Sequence, residues 1–380
     1  MRDVIVVGAG PSGSYASYSL SRRGYDVLNL EEHLEVGKPV ECTGLVSERV
    51  THMVRTKSEV NTVTGAHVIF PNGERIHVKK REKTIVLDRD SFDKDCAAQS
   101  IGAGTDLCIG SRVKSVKVTD QYASVTYREN GDLKEERSLA VIGADGINSR
   151  VRRDLFPSRT SRIVSGYQVD SAHRLEDQDS VEVYVGSRVS RGFFGWATPA
   201  GNITRIGVGA RGGASLKYFR NLNSKFGDNK ILGINGGAIP ISYLRKTYAN
   251  RAMLVGDAAG IVKPLSGGGI YTGMVSGSHA ADAFDRAYER EDFGIRQLAW
   301  YQKAWKRDLG LELWFDGMFQ RIYSTIGDSS FNAIHSVLSR PEVISLINKT
   351  GDIDYPSKVV VSVLVTKPWL LRYLIPPRKA

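Results

Sequence analysis

Cysteine is scarce in this chain. Cys42, Cys96 and Cys108 are the only three in 380 residues, and no two form a CxxC pair. An odd, dispersed set argues against a disulfide framework and a zinc site, so no metal is expected; it points instead to a reducing, cytoplasmic compartment. Long hydrophobic runs are also missing. No stretch of about 18 uncharged apolar residues occurs, so no spanning helix is expected. Val4 to Val7 is too short for a signal-peptide core and leads straight into glycines. No repeat of about 20–50 residues is present, which argues against a solenoid or propeller.

Acidic charge falls short of basic charge. There are 52 Lys and Arg against 41 Asp and Glu, a net charge of +11. The basic residues are spread out, with short clusters at Lys79-Lys80-Arg81, Arg150 to Arg153 and Arg378-Lys379. Such a balance suits nucleic acid, anionic lipid or a phosphorylated substrate, and it also serves plain solubility. No arginine-rich helix, zinc spacing or aromatic RNA-binding motif accompanies it, so no nucleic-acid partner is expected. With 41% hydrophobic and 24% charged residues the chain reads as globular.

What the chain does contain is a nucleotide-binding fingerprint at its start. Val4-Ile5-Val6-Val7 suits a strand buried on both faces. Gly8-Ala9-Gly10-Pro11-Ser12-Gly13 follows, then a small-residue helix over Ser14 to Arg23 that Gly24 ends. Asp26 to Leu30 reads as a second strand. In this pattern Gly8 permits the tight turn, Gly10 lets backbone approach a pyrophosphate, and Gly13 lets helix and strand pack closely. The helix N-terminus offers free N–H groups to phosphate. Glu31, at the end of the second strand, can accept from ribose hydroxyls, and Glu32 stands beside it.

Further on, His67 to Val78 suggests a hairpin around Asn72-Gly73. Asp88 to Ile101 looks helical, with Phe92, Cys96 and Ala97 on one side. Arg112 to Val118, Ala123 to Arg128 and Leu133 to Ile142 read as strands. Residues from about 160 to 248 alternate between strand-like runs, such as Ser180 to Val185 and Arg205 to Val208, and turns. Ala252 to Val255 is another short buried strand, and a small-residue helix spans Gly273 to Ala287. Helices follow beyond about 290, ending in an apolar tail, Val359 to Ile375, broken by Lys367-Pro368 and Arg372. Cys96 and Cys108 are read as structural, and His33 and His52 as solvated.

Three segments resemble the FAD-binding motifs of the para-hydroxybenzoate hydroxylase superfamily. They are Gly143-Ala144-Asp145-Gly146-Ile147-Asn148-Ser149, Gly256-Asp257-Ala258-Ala259-Gly260, and Asp88-Arg89 opening a helix. Taken alone, Asp145-Gly146 would be a β-turn and Gly256-Asp257 a helix cap. The resemblance implies FAD, with Arg89, Val113, Asp145, Gly146, Gly256 and Asp257 joining Gly8, Gly10, Pro11, Ser12, Gly13, Glu31 and Glu32 at the cofactor. Within that superfamily the chain is most similar to the geranylgeranyl reductase family and its archaeal digeranylgeranylglycerophospholipid branch. Pro39-Val40-Glu41-Cys42-Thr43-Gly44 looks like that branch's cysteine loop. Phe194-Gly195-Trp196-Ala197-Thr198-Pro199 resembles its YxWxFP signature, with Phe for Tyr and Thr for Phe. Pro264-Leu265-Ser266-Gly267-Gly268-Gly269 looks like its flavin-facing loop.

The resemblance implies an α/β fold: a Rossmann-like FAD-binding domain (1–60, 85–155 and 250–287), an inserted antiparallel-sheet substrate domain (61–84 and 156–249) and a helical C-terminal region (288–380). Cys42, Thr43, Gly44, Gly267, Gly268, Gly269 and Ile270 are then expected at the flavin, with Cys42, Gly267 and Gly268 as the catalytic candidates. Phe193, Phe194, Trp196, Pro199 and Pro264 are expected at the substrate. A long isoprenoid has little to hydrogen-bond, so an aromatic-lined tunnel would suit it; ordinary sheet packing is the other reading of Phe193, Phe194 and Trp196. Cys42 reads equally as a group near the flavin or as inert. The implied activity is hydrogenation of C=C bonds in geranylgeranyl chains by a protein lying on the inner face of the membrane. An aromatic or polyketide hydroxylase using NAD(P)H on the same scaffold is the alternative, and a non-catalytic flavin- or lipid-binding protein the third. No second fingerprint is present, which leaves ferredoxin and NAD(P)H both open as electron donor.

Overall fold

Two eight-stranded sheets share one chain that crosses between them four times. The computed structural model describes residues 1–157 and 162–370. Arg378-Lys379 and the end of the expected apolar tail, from residue 371 on, lie outside the described residues. In chain order the first half runs β1 (Arg2–Val7), α1 (Pro11–Ser21), β2 (Val27–Leu30), β3 (Leu45–Ser47), α2 (Glu48–Met53), β4 (Glu59–Ile69), β5 (Arg75–Leu87), α3 (Arg89–Gly102), β6 (Asp106–Cys108), β7 (Arg112–Val118), β8 (Ala123–Glu129), β9 (Asp132–Gly143) and α4 (Arg150–Leu155). Then come β10 (Ile163–Ser171), β11 (Ser180–Tyr184), β12 (Gly195–Ala200), β13 (Ile203–Ala210), α5 (Ser215–Asn223), β14 (Ile231–Pro240), β15 (Tyr248–Ala249), β16 (Ala252–Leu254), α6 (Gly256–Ala259) and α7 (Ile270–Tyr288). The last part is helical: α8 (Ile295–Trp305), α9 (Leu311–Tyr323), α10 (Asp328–Leu338), α11 (Pro341–Thr350) and α12 (Ser357–Thr366).

The first sheet is built on β1, which pairs in parallel with β2 on one side and β9 on the other. The order β15-β16-β9-β1-β2-β6 puts the loops after β1, β9 and β16 at one edge of the parallel strands. Val4, Ile5, Val6, Val141, Ile142 and Leu254 are buried along this sheet, as their uninterrupted apolar runs require. Helix α8 covers β15 and β16: Tyr301 Oη donates to Leu254 O at 2.6 Å, and Trp305 Nε1 donates to Thr247 Oγ1 at 3.0 Å. Helix α7 lies against α1, and Gly277 makes the approach possible, since a Cβ there would come within 2.8 Å of Ser12 O.

The second sheet has the order β14-β10-β13-β12-β11-β4-β5-β3. Its pairs are antiparallel except β11 with β4. Its strands come from two separate parts of the chain, 45–87 and 163–240, so it is an insertion into the Rossmann-like unit. The fold is thus the expected α/β arrangement with an inserted, mainly antiparallel sheet and a helical C-terminal region. Among the described residues no helix is long and apolar enough to cross a membrane.

Three local expectations need correction. Helix α1 starts at Pro11 rather than Ser14, because proline suits the first helical position. The stretch from 160 to 248 also contains a helix, α5. Phe219 and Leu222 bury its apolar face on the second sheet, but no side chain caps its start, so the sequence carries no entry signal. His33 is exposed, as expected, and its Nδ1 also lies 2.8 Å from Glu31 Oε1. The Asn72-Gly73 turn is present, with Gly73 at φ +87°, but its hairpin extends well beyond His67 to Val78 in both strands.

Candidate active site

The loop after β1 is shaped by its glycines. Gly8 has φ +99°, and a Cβ there would lie 2.5 Å from Ala144 O. A Cβ on Gly13 would land on the carbonyl oxygen of Gly8. Gly10 differs: a Cβ there would meet no heavy atom within 4 Å, so its backbone borders open space. Helix α1 begins at that space, with Pro11 at its first turn and no side chain capping it. Its first N–H groups are therefore available to an anion. Ser12 packs behind, where Cβ atoms on Gly256 or Gly273 would collide with its Oγ.

Glu31 closes the far side. Its Oε2 accepts from Ala9 N at 2.8 Å and its Oε1 from His33 N at 2.9 Å. Its carbonyl accepts from Ser111 N at 2.7 Å, which brings the start of β7 and Val113 to this end of the sheet. Glu32 points outward and meets Arg112 Nε at 3.3 Å.

Further ionisable side chains lie in the loops after β9 and β16 and at the start of α3. Asp145 Oδ2 accepts from the backbone N–H of Arg150 (2.5 Å) and Val151 (3.2 Å), so it ties down the start of α4. Its Oδ1 is buried without a partner. Arg89 is gripped by Asp93, with Nε and Nη2 donating at 2.9 and 2.8 Å. Burial opposes the Arg89 charge, but Asp93 and the Cys42 sulfur outweigh it and raise its pKa. Asp257 is pushed up to about 6 by burial, against the pull of Arg89 and with a small push from Glu41. The Asp257 carboxylate forms no side-chain hydrogen bond among the described residues.

The glycine loop before α7 joins this group to the second sheet. A Cβ on Gly269 would lie 3.0 Å from Asp257 Oδ1, one on Gly268 would lie 2.8 Å from Lys263 Cε, and one on Gly267 (φ +75°) would lie 3.2 Å from Phe193 Cζ. Ile270 opens α7 directly after it. Phe193 stacks on Phe194 at 4.4 Å, and Phe194 meets Trp196 edge-on at 6.0 Å. Two glycines of β13 make room for these rings: a Cβ on Gly209 would collide with Phe193 and one on Gly207 with Trp196. Trp196 Nε1 donates to Gln168 Oε1 at 2.9 Å, and Thr43 Oγ1 donates to the same oxygen at 2.7 Å. The cysteine loop is thereby tied to the aromatic cluster. Gly44 N donates to Cys42 Sγ at 3.3 Å.

Pro264 is buried against α9, where a Cβ on Gly317 would lie 3.9 Å from its Cγ. Pro199 lies apart from the aromatic cluster, near the far end of β12, and its carbonyl accepts from Asn61 Nδ2 at 3.1 Å. Sequence reasoning overlooked Gln168 and Arg205, the two strand residues that anchor the cysteine loop. Arg205 Nη1 donates to Thr43 O and Leu87 O, both at 2.7 Å. Neither sits in a motif, and only strand pairing brings them here. It also overlooked one histidine–carboxylate group on the second sheet. His67, His77 and Asp177 bring ligand atoms within 4.8 Å of one another, and the first and last are hydrogen-bonded at 2.8 Å.

These features fit FAD. Open space before an uncapped helix suits a pyrophosphate. A half-buried carboxylate without a side-chain donor, Asp257, suits the hydroxyls of a sugar-alcohol chain. The family described as FAD binding domain matches residues 1–209, which places the chain among the FAD-binding flavoproteins. Digeranylgeranylglycerophospholipid reductase 1 of Methanococcoides burtonii is 30% identical over 358 residues, covering 87% of this chain and 86% of that protein. Digeranylgeranylglycerophospholipid reductase 2 of Methanopyrus kandleri is 29% identical and covers 98% of both chains. The crystal structure of a geranylgeranyl bacteriochlorophyll reductase-like protein from Thermoplasma acidophilum shares the fold, with a TM-score of 0.88 at 24% identity over 98% of this chain and 99% of that one. The chain belongs to the digeranylgeranylglycerophospholipid reductase family.

With Asp257 at the cofactor, FAD binding should depend on pH. Hydroxyl donors from the cofactor favour the carboxylate, so bound FAD lowers a pKa that burial holds near 6. Affinity should fall as pH drops below about 6, by up to tenfold per unit. Calorimetry near that pH, in buffers of different ionisation enthalpy, should report proton release on binding. Asp257→Asn should abolish the release; an unchanged release in that variant would remove Asp257 from the site.

Proposed function

We propose that this protein is an FAD-dependent reductase that hydrogenates C=C bonds of geranylgeranyl chains in membrane phospholipids of the archaeal ether type. The observation that carries this reading is the glycine loop held between Asp257 on one side and the Phe193–Phe194–Trp196 cluster on the other. When bound, FAD supplies the hydride. Gly8, Gly10, Pro11, Ser12 and Gly13 would cradle its pyrophosphate, and Glu31 its ribose, with Glu32 and Val113 at the same end. Arg89, Asp145, Gly146, Gly256 and Asp257 would hold the middle of the cofactor. Gly267, Gly268 and Gly269, with Ile270, would lie along the flavin ring and offer backbone N–H groups to it.

The aromatic cluster would orient an apolar chain and keep water from it. Its Thr43–Gln168–Trp196 hydrogen bonds tie in the loop that carries Cys42, whose thiol would border both cofactor and substrate. On this reading the strands within 61–84 and 156–249 make the substrate domain, and residues 1–60, 85–155 and 250–287 hold FAD. Pro264 would close the wall from the α9 side, and Pro199 would lie at its outer end. The electron donor would be a ferredoxin or NAD(P)H, and the protein would work in the cytoplasm on the inner membrane face, with basic residues near the anionic headgroup.

The test is anaerobic incubation of the FAD-loaded protein and a chemical reductant with a digeranylgeranyl phospholipid. Mass spectrometry should show a gain of one hydrogen molecule per double bond. Substrate-dependent oxygen uptake with a hydroxylated product would favour the hydroxylase reading. A pigmented protein whose reduced flavin never reoxidises with prenyl lipid would favour a binding role.

A further inference from the structure

The glycine loop rests on a buried charged cluster that the reaction described above does not use. Lys263, just before Pro264, is 4% exposed, and its Nζ donates to Ile353 O at 2.7 Å and to Asp354 Oδ1 at 3.1 Å. Asp354 Oδ2 accepts in turn from Ser47 Oγ (2.5 Å) and Arg49 Nη1 (3.0 Å), and Arg49 also binds Asp352 at 2.9 Å. On α9, Glu312 accepts from Ser357 N at 2.8 Å and from Ser357 Oγ. One turn further, Asp316 is completely buried, and neither of its carboxyl oxygens has a hydrogen-bond partner. The groups facing it are Glu312 on its own helix, and Lys263 and the Leu265 backbone on the loop.

Two carboxyls one turn apart in a buried site cannot both carry charge cheaply. Glu312 is engaged by two donors, so the proton belongs on Asp316. We propose that Asp316 is a positioning residue that stores a proton behind the glycine loop. Protonated, it leaves Lys263 with Asp354 and the loop as seen here. Ionised, it competes for Lys263 and the Leu265 N–H, and the loop shifts against the cofactor. Burial, with the Glu312 charge adding to it and Lys263 opposing it, raises Asp316 to about 8. The switch therefore falls just above neutrality, well separated from the Asp257 step.

The proposal rests on FAD lying along this loop, not on which lipid is reduced. The experiment follows the visible flavin spectrum and the FAD dissociation constant of the holoprotein as pH crosses that value. The wild type should show a band shift and a roughly fivefold weakening centred near pH 8. Asp316→Asn, permanently neutral, should remain flat at the value the wild type has at neutral pH. Glu312→Gln, which removes the neighbouring charge, should move the step to lower pH. A wild type with no step, or an Asn variant that keeps it, would overturn the proposal. A normal step in a protein that fails to reduce geranylgeranyl chains would overturn the substrate reading instead.

Discussion

Gly13→Ala should cost this protein its fold, while Gly10→Ala should cost it only the cofactor. At Gly13 the added carbon would meet the Gly8 carbonyl oxygen, and Ala144 Cβ would stand 3.0 Å away on another side. Both obstacles belong to the junction of β1, α1 and the loop after β9, where no flexible side chain can swing clear. Relief requires α1 to move off the sheet. We expect the apo protein to lose roughly 3 kcal/mol or more, at or above the usual range for overpacking. At Gly10 the backbone lies at φ −66° and ψ 176°, ordinary values for alanine, and the methyl group meets nothing. The apo variant should therefore melt like the wild type. The methyl group would occupy the space left for phosphate, and FAD affinity should fall by about 100-fold, some 2.7 kcal/mol. Thermal melts of the apo proteins and FAD titrations separate the two effects. Equal melting of Gly13→Ala and wild type, or normal FAD affinity in Gly10→Ala, would contradict this division of labour.

That contrast shows why the nucleotide-binding half was readable in the sequence. Gly8 and Gly13 are demanded by the packing of the turn between β1 and α1, and Gly10 by the space a phosphate needs; all three fall within a few residues, so the demands leave a pattern of fixed spacing. Glu31 is legible for the same reason, since it lies one βαβ unit away. The glycine loop from Gly267 to Gly269 was legible because Pro264 and the small-residue helix frame it. Asp145 shows the limit of such reading. Its motif was visible, but its Oδ2 ties down α4, a task that the Asp-Gly pair alone does not reveal.

The rest was hidden because strand pairing creates it. Gln168 meets Thr43 across 125 residues and Arg205 meets Thr43 across 162. Neither position differs in the sequence from any other polar residue in a strand. The same holds for Asp316, which reads as one polar residue on an amphipathic helix until burial removes its partners. Helix α5 stayed hidden for a different reason: it is short, uncapped and set among strands, so its amphipathic spacing had no start signal to frame it.

Arg205 offers the sharpest test of the hidden part. It is 8% exposed, and the carbonyls of Thr43 and Leu87 both accept from its Nη1 at 2.7 Å. One guanidinium thereby pins the cysteine loop to the end of β5, with Gly44 (φ +81°) packed so closely that a Cβ there would lie 3.0 Å from Nη1. Arg205→Met keeps much of the stem but leaves two carbonyls without this donor, at about 1–3 kcal/mol for each that stays buried. We expect a loss of roughly 2–6 kcal/mol in stability if the loop stays in place, and less if it opens. Opening has its own signature, because Gly44 N no longer holds Cys42 Sγ. In a Cys108→Ser background, with Cys96 buried in the core, Cys42 should react with a thiol reagent at least tenfold faster than in the same background with Arg205 intact. Arg205→Lys, which keeps the charge but not the planar fork, should recover only part of the protection. A variant that neither melts lower nor exposes Cys42 would mean that Gln168, Trp196 and the backbone bond from Leu87 N to Gly44 O hold the loop without Arg205. The second sheet would then position Cys42 through its aromatic cluster and not through its buried cation.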